Sequence, residues 1–319
     1  MTEYLLTGCG GFVAAHYLEY LAQADFDGQV LGVGTTAPAQ VPTKLRFRFE
    51  KINLLDFEGL SLLVRAVQPK FCVHLAAMSS VADSWAHPKT SFVNNTNIFL
   101  NLIEAVRTCS SETRILSIGS SEQYRTKDVS TQPLTEMDLM APNSPYAVAR
   151  CAQEWLGKAY VAGYGLDIVM TRSFNHIGPY QDSRFVLSGF ARSFAQALIN
   201  GEKTVHLTVG DPDVVRDFLH VRDVVRAYEA ILHGASKGDV FNVCSGRGVR
   251  LFKALDVLSR LSGLNYDTEI DKSLVRPMEN RSVIGSHDAI TVALGWTPSL
   301  NFEESMSDLL TYWIESLAV

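Results

Sequence analysis

A tyrosine and an arginine stand four positions apart in a segment that reads as the start of a helix. The chain runs Asn143-Ser144-Pro145-Tyr146-Ala147-Val148-Ala149-Arg150. Positions i and i+4 share one face of a helix, so the guanidinium lies one turn from the phenol and favours its ionised form. Such a phenol suits proton transfer to a carbonyl oxygen. The same residues also fit an ordinary capped helix start, with Ser144 as the N-cap.

A second polar group follows the apolar segment 114–118, which reads as a strand. The chain continues Gly119-Ser120-Ser121-Glu122-Gln123-Tyr124. Polar side chains at the carboxyl end of a parallel strand lie where doubly wound folds keep their sites. Ser120 and Glu122 are therefore candidate site residues, although a solvated loop carboxylate is an equally good reading of Glu122.

A glycine-rich turn joins the first predicted strand to the first predicted helix. It reads Thr7-Gly8-Cys9-Gly10-Gly11-Phe12-Val13-Ala14. Glycines here let the backbone approach a pyrophosphate, and the helix N-terminus offers free N–H groups to it. The position in an N-terminal βαβ unit favours dinucleotide binding over a plain tight turn. Ala14 stands where a third glycine would aid close packing.

The end of the second strand ordinarily reports the choice of nicotinamide cofactor. An acidic residue there binds the ribose hydroxyls of NAD, whereas a basic residue accommodates the phosphate of NADP. This chain has neither, since it reads Gly32-Val33-Gly34-Thr35-Thr36. The sequence leaves NADP(H) and NAD(H) both open.

The elements that must position these residues alternate between short apolar strands and amphipathic helices. Predicted strands cover residues 4–7, 30–33, 71–75, 114–118 and 168–172, with helices between them. This pattern predicts an α/β fold with a doubly wound parallel sheet, the Rossmann arrangement. After residue 172 the pattern becomes irregular: a helix at 185–200, a strand at 204–209, a loop at 210–218, a helix around 224–231, a strand at 240–243, and helices at 251–261 and 302–317. We assign residues 1–172 and 217–248 to the dinucleotide-binding domain, and 173–216 and 249–319 to a smaller α/β lobe.

Composition excludes several classes of function. The 319 residues carry 28 basic and 34 acidic side chains, a net charge of −6, and no basic stripe, so nucleic acid is not an expected partner. No apolar run is long enough to span a membrane, and an apolar strand rather than a signal peptide opens the sequence, which predicts a cytoplasmic protein. The five cysteines lack CxxC spacing, so we expect buried thiols and neither disulfides nor a metal site.

Several short motifs occur in a fixed order along the whole chain. They are the turn at 7–12, Leu75-Ala76-Ala77, Asn95, Ser120, Tyr146, Phe174-Asn175-His176-Ile177-Gly178-Pro179, Arg216-Asp217-Phe218 and Arg276-Pro277-Met278-Glu279. Together they resemble the extended short-chain dehydrogenase/reductases that modify nucleotide sugars. Within that family the segments 174–179, 214–218, 242–246 and 276–279, the last followed by 284–286, are most similar to the GDP-sugar branch, which contains both dehydratases and ketoreductases.

The resemblance implies roles for individual residues. Tyr146 would give a proton to a sugar C4 ketone while hydride arrives from the nicotinamide, and Ser120 would hydrogen-bond the same oxygen. The implied cofactor-binding residues are Gly8, Gly10, Gly11, Phe12, Val13, Thr35, Asn53, Leu54, Leu75, Ala76, Ala77, Asn95, Tyr146 and Arg150. The implied substrate-binding residues are Ser79, Ser80, Glu122, Asn175, Arg216, Arg276 and Glu279. Alternatively, Arg216 forms a structural ion pair with Asp217 or Asp223, and Glu279 is a surface charge.

This chain departs from the family pattern at the cofactor. Arg150 stands where the pattern YxxxK has lysine, and a planar guanidinium does not simply reproduce an ammonium that bonds two ribose hydroxyls. Asn53 stands where many relatives have an aspartate near adenine. These changes fit either a retuned enzyme or a subunit that has lost turnover.

We therefore expect a reductase acting on the C4 ketone of a GDP-linked 4-keto-6-deoxy sugar, hexose or heptose. A GDP-mannose 4,6-dehydratase type of enzyme, in which Glu122 would serve as base, is the alternative, although the chain is shorter than those dehydratases. A nucleotide-sugar-binding subunit without turnover is the alternative of another class. By analogy with the family we expect a homodimer paired through the helices around 90–108 and 145–164.

Overall fold

The computed structural model describes residues 2–124, 133–211, 213–271, 274 and 281–318. Seven strands form its main sheet: β1 (Thr2–Thr7), β2 (Gln29–Gly34), β3 (Arg46–Lys51), β4 (Phe71–His74), β5 (Arg114–Ser120), β6 (Ile168–Ser173) and β10 (Val240–Val243). Their order across the sheet is β10-β6-β5-β4-β1-β2-β3, and all neighbours are parallel.

Helices cover both faces of this sheet. On one face lie α1 (Phe12–Gln23), α7 (Val221–Gly234) and α9 (Asp288–Leu294). On the other lie α2 (Phe57–Val67), α4 (Pro88–Cys109) and α5 (Pro145–Tyr164), with the short α3 (Val81–Ala86) leading into α4. The predicted doubly wound α/β fold is confirmed.

Apolar residues on consecutive positions of the strands explain why two layers are needed. Leu5 packs among α2 and α4, whereas its neighbours Tyr4 and Leu6 pack among α1 and α7. Successive strand side chains point to opposite faces, so an uninterrupted apolar strand must be covered on both. Ala14 on α1 is fully buried in this core.

A second apolar core gathers most of the remaining elements. It contains α6 (Val186–Asn200), α8 (Leu251–Ser262), α10 (Phe302–Leu317) and β8 (Thr204–Val209), which pairs in parallel with β12 (Asn265–Ile270). A further small sheet places β9 (Val215–His220) between β11 (Gly248–Arg250) and β13 (Ser282–Val283). The strand β7 (Asn175–Ile177) also pairs with β9.

The sequence reading was wrong about some of the strands. Residues 215–218 belong to β9 and not to a loop, because this segment pairs with β7, β11 and β13, which come from distant parts of the chain. The edge strand β3 escaped notice because its sequence, RFRFEK, alternates phenylalanine with exposed charges. Cys109 is half-buried, whereas the other four free cysteines are buried as expected.

Helix ends carry ordinary capping residues, and the predicted Ser144 cap is among them. Ser144 caps α5 by accepting a hydrogen bond from the Ala147 N–H at 3.1 Å, and Gly165 ends this helix in a left-handed conformation with φ of 72°. The end of α2 at Val67 precedes Pro69. Across the described ranges, no helix has the length and apolar character that crossing a membrane requires.

Candidate active site

The glycine turn between β1 and α1 brings three strand ends together. The Gly8 N–H donates to the Val33 carbonyl at 2.9 Å, and Gly8 has a φ of 68°. A Cβ on Gly8 would lie 2.7 Å from the Ala76 backbone, and one on Gly10 would lie 2.6 Å from the Thr36 carbonyl oxygen. Only glycine permits this approach of the β1, β2 and β4 ends.

The helix behind this turn leaves its first N–H groups unclaimed by a capping side chain. Gly11 is the N-cap of α1 and makes no side-chain cap bond, and the exposed turn is followed by Phe12 and Val13. A helix N-terminus of this kind binds anions. The cradle therefore fits the pyrophosphate of a dinucleotide.

At the far end of the cradle, the side chains predicted near adenosine are small and polar. Thr35 and Asn53 are exposed, and the Asn53 side-chain oxygen accepts from the Leu55 N–H at 3.0 Å. Leu54 is buried, and its carbonyl accepts from the Asn101 side chain at 2.9 Å. This part of the site contains no carboxylate at position 35 or 53.

The loop after β4, which contains Leu75, Ala76 and Ala77, is held by a side chain from α4. The Asn95 side chain is 1% exposed, accepts from the Met78 N–H at 2.9 Å and donates to the Met78 carbonyl at 3.1 Å. Asn95 thus orients the loop. Beyond it, Ser79 is exposed.

Ser80 supplies the cap of the next helix. Its hydroxyl accepts a hydrogen bond from the Asp83 N–H at 3.0 Å at the start of α3. The Ser80 oxygen is therefore engaged in local structure, while the neighbouring Ser79 side chain is exposed to solvent.

Ser120 lies at the carboxyl end of β5, where a short 3-10 helix begins at Ser121. Its hydroxyl accepts from the Glu122 N–H at 3.2 Å, and its N–H donates to the Gln123 side-chain oxygen at 2.7 Å. The other end of the Gln123 amide donates to Glu154 of α5 at 2.7 Å. Ser120 is therefore held by a chain of hydrogen bonds that runs into α5, and Glu122 is half-buried beside it.

A buried ion pair holds the Glu154 end of this series of hydrogen bonds in place. Glu154 and Arg172 are about equally buried, at 3% exposure each, and their closest N···O distance is 2.7 Å. Lys158 adds a contact to Glu154 at 2.6 Å. Burial opposes the charge of Glu154, but the hydrogen bonds and positive charges of Arg172 and Lys158 outweigh it and lower the pKa of this carboxyl group.

Tyr146 and Arg150 lie on the same face of α5, as the spacing predicted. Tyr146 is 6% exposed and Arg150 is 5% exposed, and the guanidinium carbon is 5.2 Å from the centre of the phenol ring. The Arg150 Nη1 donates to the Ile118 carbonyl of β5 at 3.0 Å and to the Gln153 side-chain oxygen at 2.6 Å. The Nε atom is buried and lacks a hydrogen-bond partner within the described ranges.

Two buried titratable groups near Arg150 are held in their neutral forms. Burial, together with the charge of Arg150, lowers the pKa of His74 to about 3, so this histidine is neutral. Its Nδ1 lies 2.9 Å from the Thr7 hydroxyl. Burial raises the pKa of Tyr228 far above its usual range, and the Tyr228 hydroxyl bonds to Ser173 at 2.8 Å. Tyr228 is therefore a protonated phenol.

The pairing of β7 with β9 brings two of the predicted substrate-binding residues, Asn175 and Arg216, to neighbouring strands. Asn175 pairs with Phe218, and its side chain donates to the Asp217 carbonyl at 3.3 Å. Arg216 is buried, and its Nη1 donates to the Val215 carbonyl at 2.9 Å. Arg276 and Glu279, which belong to the same predicted set, lie outside the described residues.

Both aspartates considered as ion-pair partners of Arg216 have other ligands. Asp217 accepts from the N–H groups of Ser245 and Gly246 at 2.8 and 3.0 Å. Asp223 contacts Arg226 at 2.5 Å and caps the turn at Ser299. Asp217 thus fixes a loop, and Asp223 ties α7 to the segment before α10.

Sequence reasoning overlooked the glutamines and the glutamate that support the site. Gln123, Gln153 and Glu154 are all buried and join β5 to α5. Gln153 lies three positions after Arg150, a spacing that places both on one helix face and could have revealed the pair. For Glu154 the i, i+4 spacing to Lys158 is visible in the sequence, but its buried partner Arg172 is on a distant strand.

A doubly wound parallel sheet, a glycine turn after the first strand and a tyrosine followed four positions later by a cation are features of the extended short-chain dehydrogenase/reductases. A protein-family model described as GDP-mannose 4,6 dehydratase matches residues 5–309. The chain belongs to this family of extended short-chain dehydrogenase/reductases.

Individual relatives include both reductases and dehydratases. The chain is 32% identical to a GDP-6-deoxy-D-mannose reductase of Pseudomonas aeruginosa, with 98% of each chain covered. It is 26% identical to a GDP-mannose 4,6-dehydratase of Yersinia enterocolitica, covering 97% of this chain and 93% of the relative.

Solved structures of related proteins have the same fold over nearly the whole chain. The structure of RMD from Pseudomonas aeruginosa complexed with NADPH is 29% identical, with a TM-score of 0.83 over 99% of this chain and 100% of that chain. The UDP-glucose 4-epimerase of Thermus thermophilus in complex with NAD is 26% identical, with a TM-score of 0.83 over 98% of this chain and 99% of that chain.

Proposed function

We propose that this protein is a nicotinamide-dependent reductase of the C4 ketone of a GDP-linked 4-keto-6-deoxy sugar, hexose or heptose. The observation that carries the proposal is the buried Tyr146 phenol with the Arg150 guanidinium 5.2 Å from its ring. The identity with the Pseudomonas reductase over nearly the full length of both chains supports the substrate class.

The cofactor is NADP(H) or NAD(H), which supplies a hydride when bound. Gly8, Gly10 and Gly11 would hold its pyrophosphate at the start of α1, because the cradle has no room for a Cβ at Gly8 or Gly10. Arg150 would place its positive charge where the family lysine bonds the ribose of the cofactor. One structural neighbour was solved with NADPH and another with NAD, so both cofactors belong in the test.

In the reduction, the C4 carbon takes a hydride and the carbonyl oxygen takes the phenol proton of Tyr146, which leaves a hydroxyl group on the sugar. Ser120, held by Gln123, would donate a hydrogen bond to the same oxygen as negative charge develops on it. The positive charge of Arg150 stabilises the phenolate that remains on Tyr146.

Recognition of the nucleotide would fall to residues across the cleft. Asn175 and Arg216 lie on paired strands, and Arg276 and Glu279 complete the proposed set. Arginines offer permanently charged, forked donors to a diphosphate. We accordingly propose residues 1–172 and 217–248 as the dinucleotide-binding domain, and 173–216 and 249–319 as the sugar-nucleotide lobe.

We also propose that the protein is a cytoplasmic homodimer paired through α4 and α5. Large apolar side chains are exposed on these two helices: Phe92 (40%), Val148 (43%), Trp155 (60%) and Tyr164 (60%). Exposed apolar groups that cluster on adjoining helices mark contact surfaces in many proteins. The five free cysteines suit a reducing compartment.

A dehydratase is the second candidate, because Glu122 adjoins Ser120 at the strand end, where a carboxylate could act as base. A binding subunit without turnover is the third, because Arg150 replaces the family lysine.

One experiment separates the three. The full chain is incubated with GDP-4-keto-6-deoxymannose and either NADPH or NADH, and separately with GDP-mannose and NADP⁺. The proposal expects oxidation of the reduced nicotinamide in step with ketone loss, and a fall of roughly a hundredfold to ten-thousandfold in the Tyr146→Phe variant. Loss of water from GDP-mannose without net reduction of the NADP⁺ would identify a dehydratase. Cofactor binding without turnover, and turnover gained by Arg150→Lys, would identify the binding subunit.

A further inference from the structure

Arg150 is a buried cation with neutral neighbours. Within the described part of the chain, its hydrogen bonds go to the Ile118 carbonyl and to the Gln153 amide, and no carboxylate contacts it. A buried guanidinium loses most of its hydration, so it needs acceptors at close range. One atom, Nη1, donates both of these hydrogen bonds.

Gln153 is held so that only its oxygen can face the arginine. It is 1% exposed, and its Nε2 donates to the Ser117 hydroxyl at 2.8 Å and to the Ile118 carbonyl at 3.1 Å. Turning the amide over would place its NH₂ group against the Arg150 Nη1, donor against donor. The strand β5 therefore fixes the orientation of Gln153, and Gln153 in turn fixes Arg150.

We propose that Gln153 is the positioning residue that lets this chain use arginine in the place of the family lysine. Glutamine binds the additional nitrogen of the guanidinium without neutralising it, so the full charge stays beside Tyr146. With Nη1 tied to β5 and Gln153, the guanidinium is held in one orientation at the place where the family lysine would bond the ribose of the cofactor. The inference rests on the proposed function for the identity of that cofactor.

The alternative is that Gln153 only stabilises the packing of α5 on β5. Its bonds to Ser117 and Ile118 would suffice for that role, and its loss would then lower stability without changing the chemistry of Arg150. The two roles separate in a double-mutant cycle, because only the positioning role requires the effect of Gln153 to depend on the residue at 150.

The cycle uses the full chain and the dissociation constants of NADPH and NADH, measured by fluorescence titration, for four proteins: unchanged, Gln153→Met, Arg150→Lys and the double variant. Methionine matches the length of glutamine without its amide. We expect Gln153→Met to weaken cofactor binding roughly tenfold in the arginine protein and less than about twofold in the lysine protein, because the shorter ammonium group lacks the nitrogen that Gln153 binds.

A second variant, Gln153→Glu, keeps an acceptor but adds a negative charge. A carboxylate at 153 offsets the positive charge of Arg150, so the phenolate that forms on Tyr146 is less stabilised, and we expect kcat to fall roughly tenfold. The other groups that face Arg150 are His74 on β4 and Tyr228 on α7. His74 stays neutral because of its low pKa, and Tyr228 stays protonated because burial raises its pKa.

Gln181→Met is the matched control, since Gln181 is buried and donates one hydrogen bond to the His176 carbonyl at 2.8 Å. It should lower stability and leave kcat and the coupling unchanged. Equal weakening of cofactor binding by Gln153→Met in the arginine and lysine proteins would overturn the positioning role, whatever the substrate. Strong coupling in the absence of ketone reduction would support the role and reject the proposed reaction.

Discussion

The pKa of His74 shows how the site affects a single residue. His74 is 1% exposed at the end of β4, and burial together with the Arg150 charge lowers its pKa to about 3. In the unfolded chain a histidine has a pKa near 6.5. Because the pKa in the folded protein is the lower one, the contribution of His74 to stability is present above about pH 6.5. It is lost as pH falls from there toward 3.

We therefore expect the His74→Asn variant to have a weaker pH dependence of stability. Between about pH 7 and pH 5, the free energy of unfolding of the unchanged protein should fall by about 2 kcal/mol more than that of the variant. Asparagine keeps a polar group next to the Thr7 hydroxyl but takes up no proton. Urea unfolding at fixed protein concentration measures the difference.

The control for this prediction is an exposed histidine. His206 on β8 has a side chain that is 77% exposed, and His206→Asn should leave the pH dependence as it is. The buried histidines His176 and His220 are present in every variant, so their effect cancels. If His74→Asn and the unchanged protein lose stability in parallel, His74 is not a neutral group in the folded protein.

Among the elements, α5 carries most of the proposed chemistry and depends on β6 for its placement. The Glu154–Arg172 pair joins them, and Gln123 extends the connection to Ser120. Removal of one partner from a buried ion pair leaves an uncompensated charge, which is more damaging than loss of the whole pair. The position of Ser120 should therefore be sensitive to residue 154.

We expect Glu154→Leu to lower the free energy of unfolding by roughly 3–5 kcal/mol. The double variant Glu154→Leu with Arg172→Met should recover part of that loss, because it leaves no unpaired buried charge. Urea unfolding of the two variants tests this.

An exposed ion pair provides the comparison. Arg260 and Glu303 have side chains that are 58% and 50% exposed, and Glu303→Gln should change stability far less than Glu154→Leu. Similar losses in the single and the double variants at 154 and 172 would show that packing, and not the unpaired charge, determines the cost.

For the whole molecule, the proposed dimer depends on a surface that the fold assembles from two helices. Trp155 on α5 is 60% exposed in the single chain. We expect Trp155→Lys to turn the dimer into a monomer of 35.2 kDa, because dimerisation would bury the new charge in an apolar contact. Sedimentation equilibrium gives the mass directly.

Leu62→Lys is the matched control, since Leu62 on α2 is 66% exposed and outside the proposed contact. It should leave the dimer intact. A mass of one chain for the unchanged protein, at concentrations well above those used in enzyme assays, would contradict the dimer.

Local chemistry accounts for what the sequence determined by itself. The apolar strands, the capped start of α5 and the glycine turn follow from residue types at fixed spacing, so the doubly wound fold could be predicted. The i, i+4 relation of Tyr146 and Arg150 is a property of one helix, and it needed no tertiary information. Family membership rests on motifs whose order along the chain is visible without a structure.

Tertiary structure decided what depends on distant segments. It placed the Gln153 amide between Arg150 and β5, paired Glu154 with Arg172, and turned the segment around Asp217 into a buried strand. Each of these polar groups is buried with partners that come from other elements, and a buried polar group is stable only when such partners are in reach. Because that condition is met by the packing of the chain and not by spacing along it, the sequence alone could not reveal how Arg150 is held.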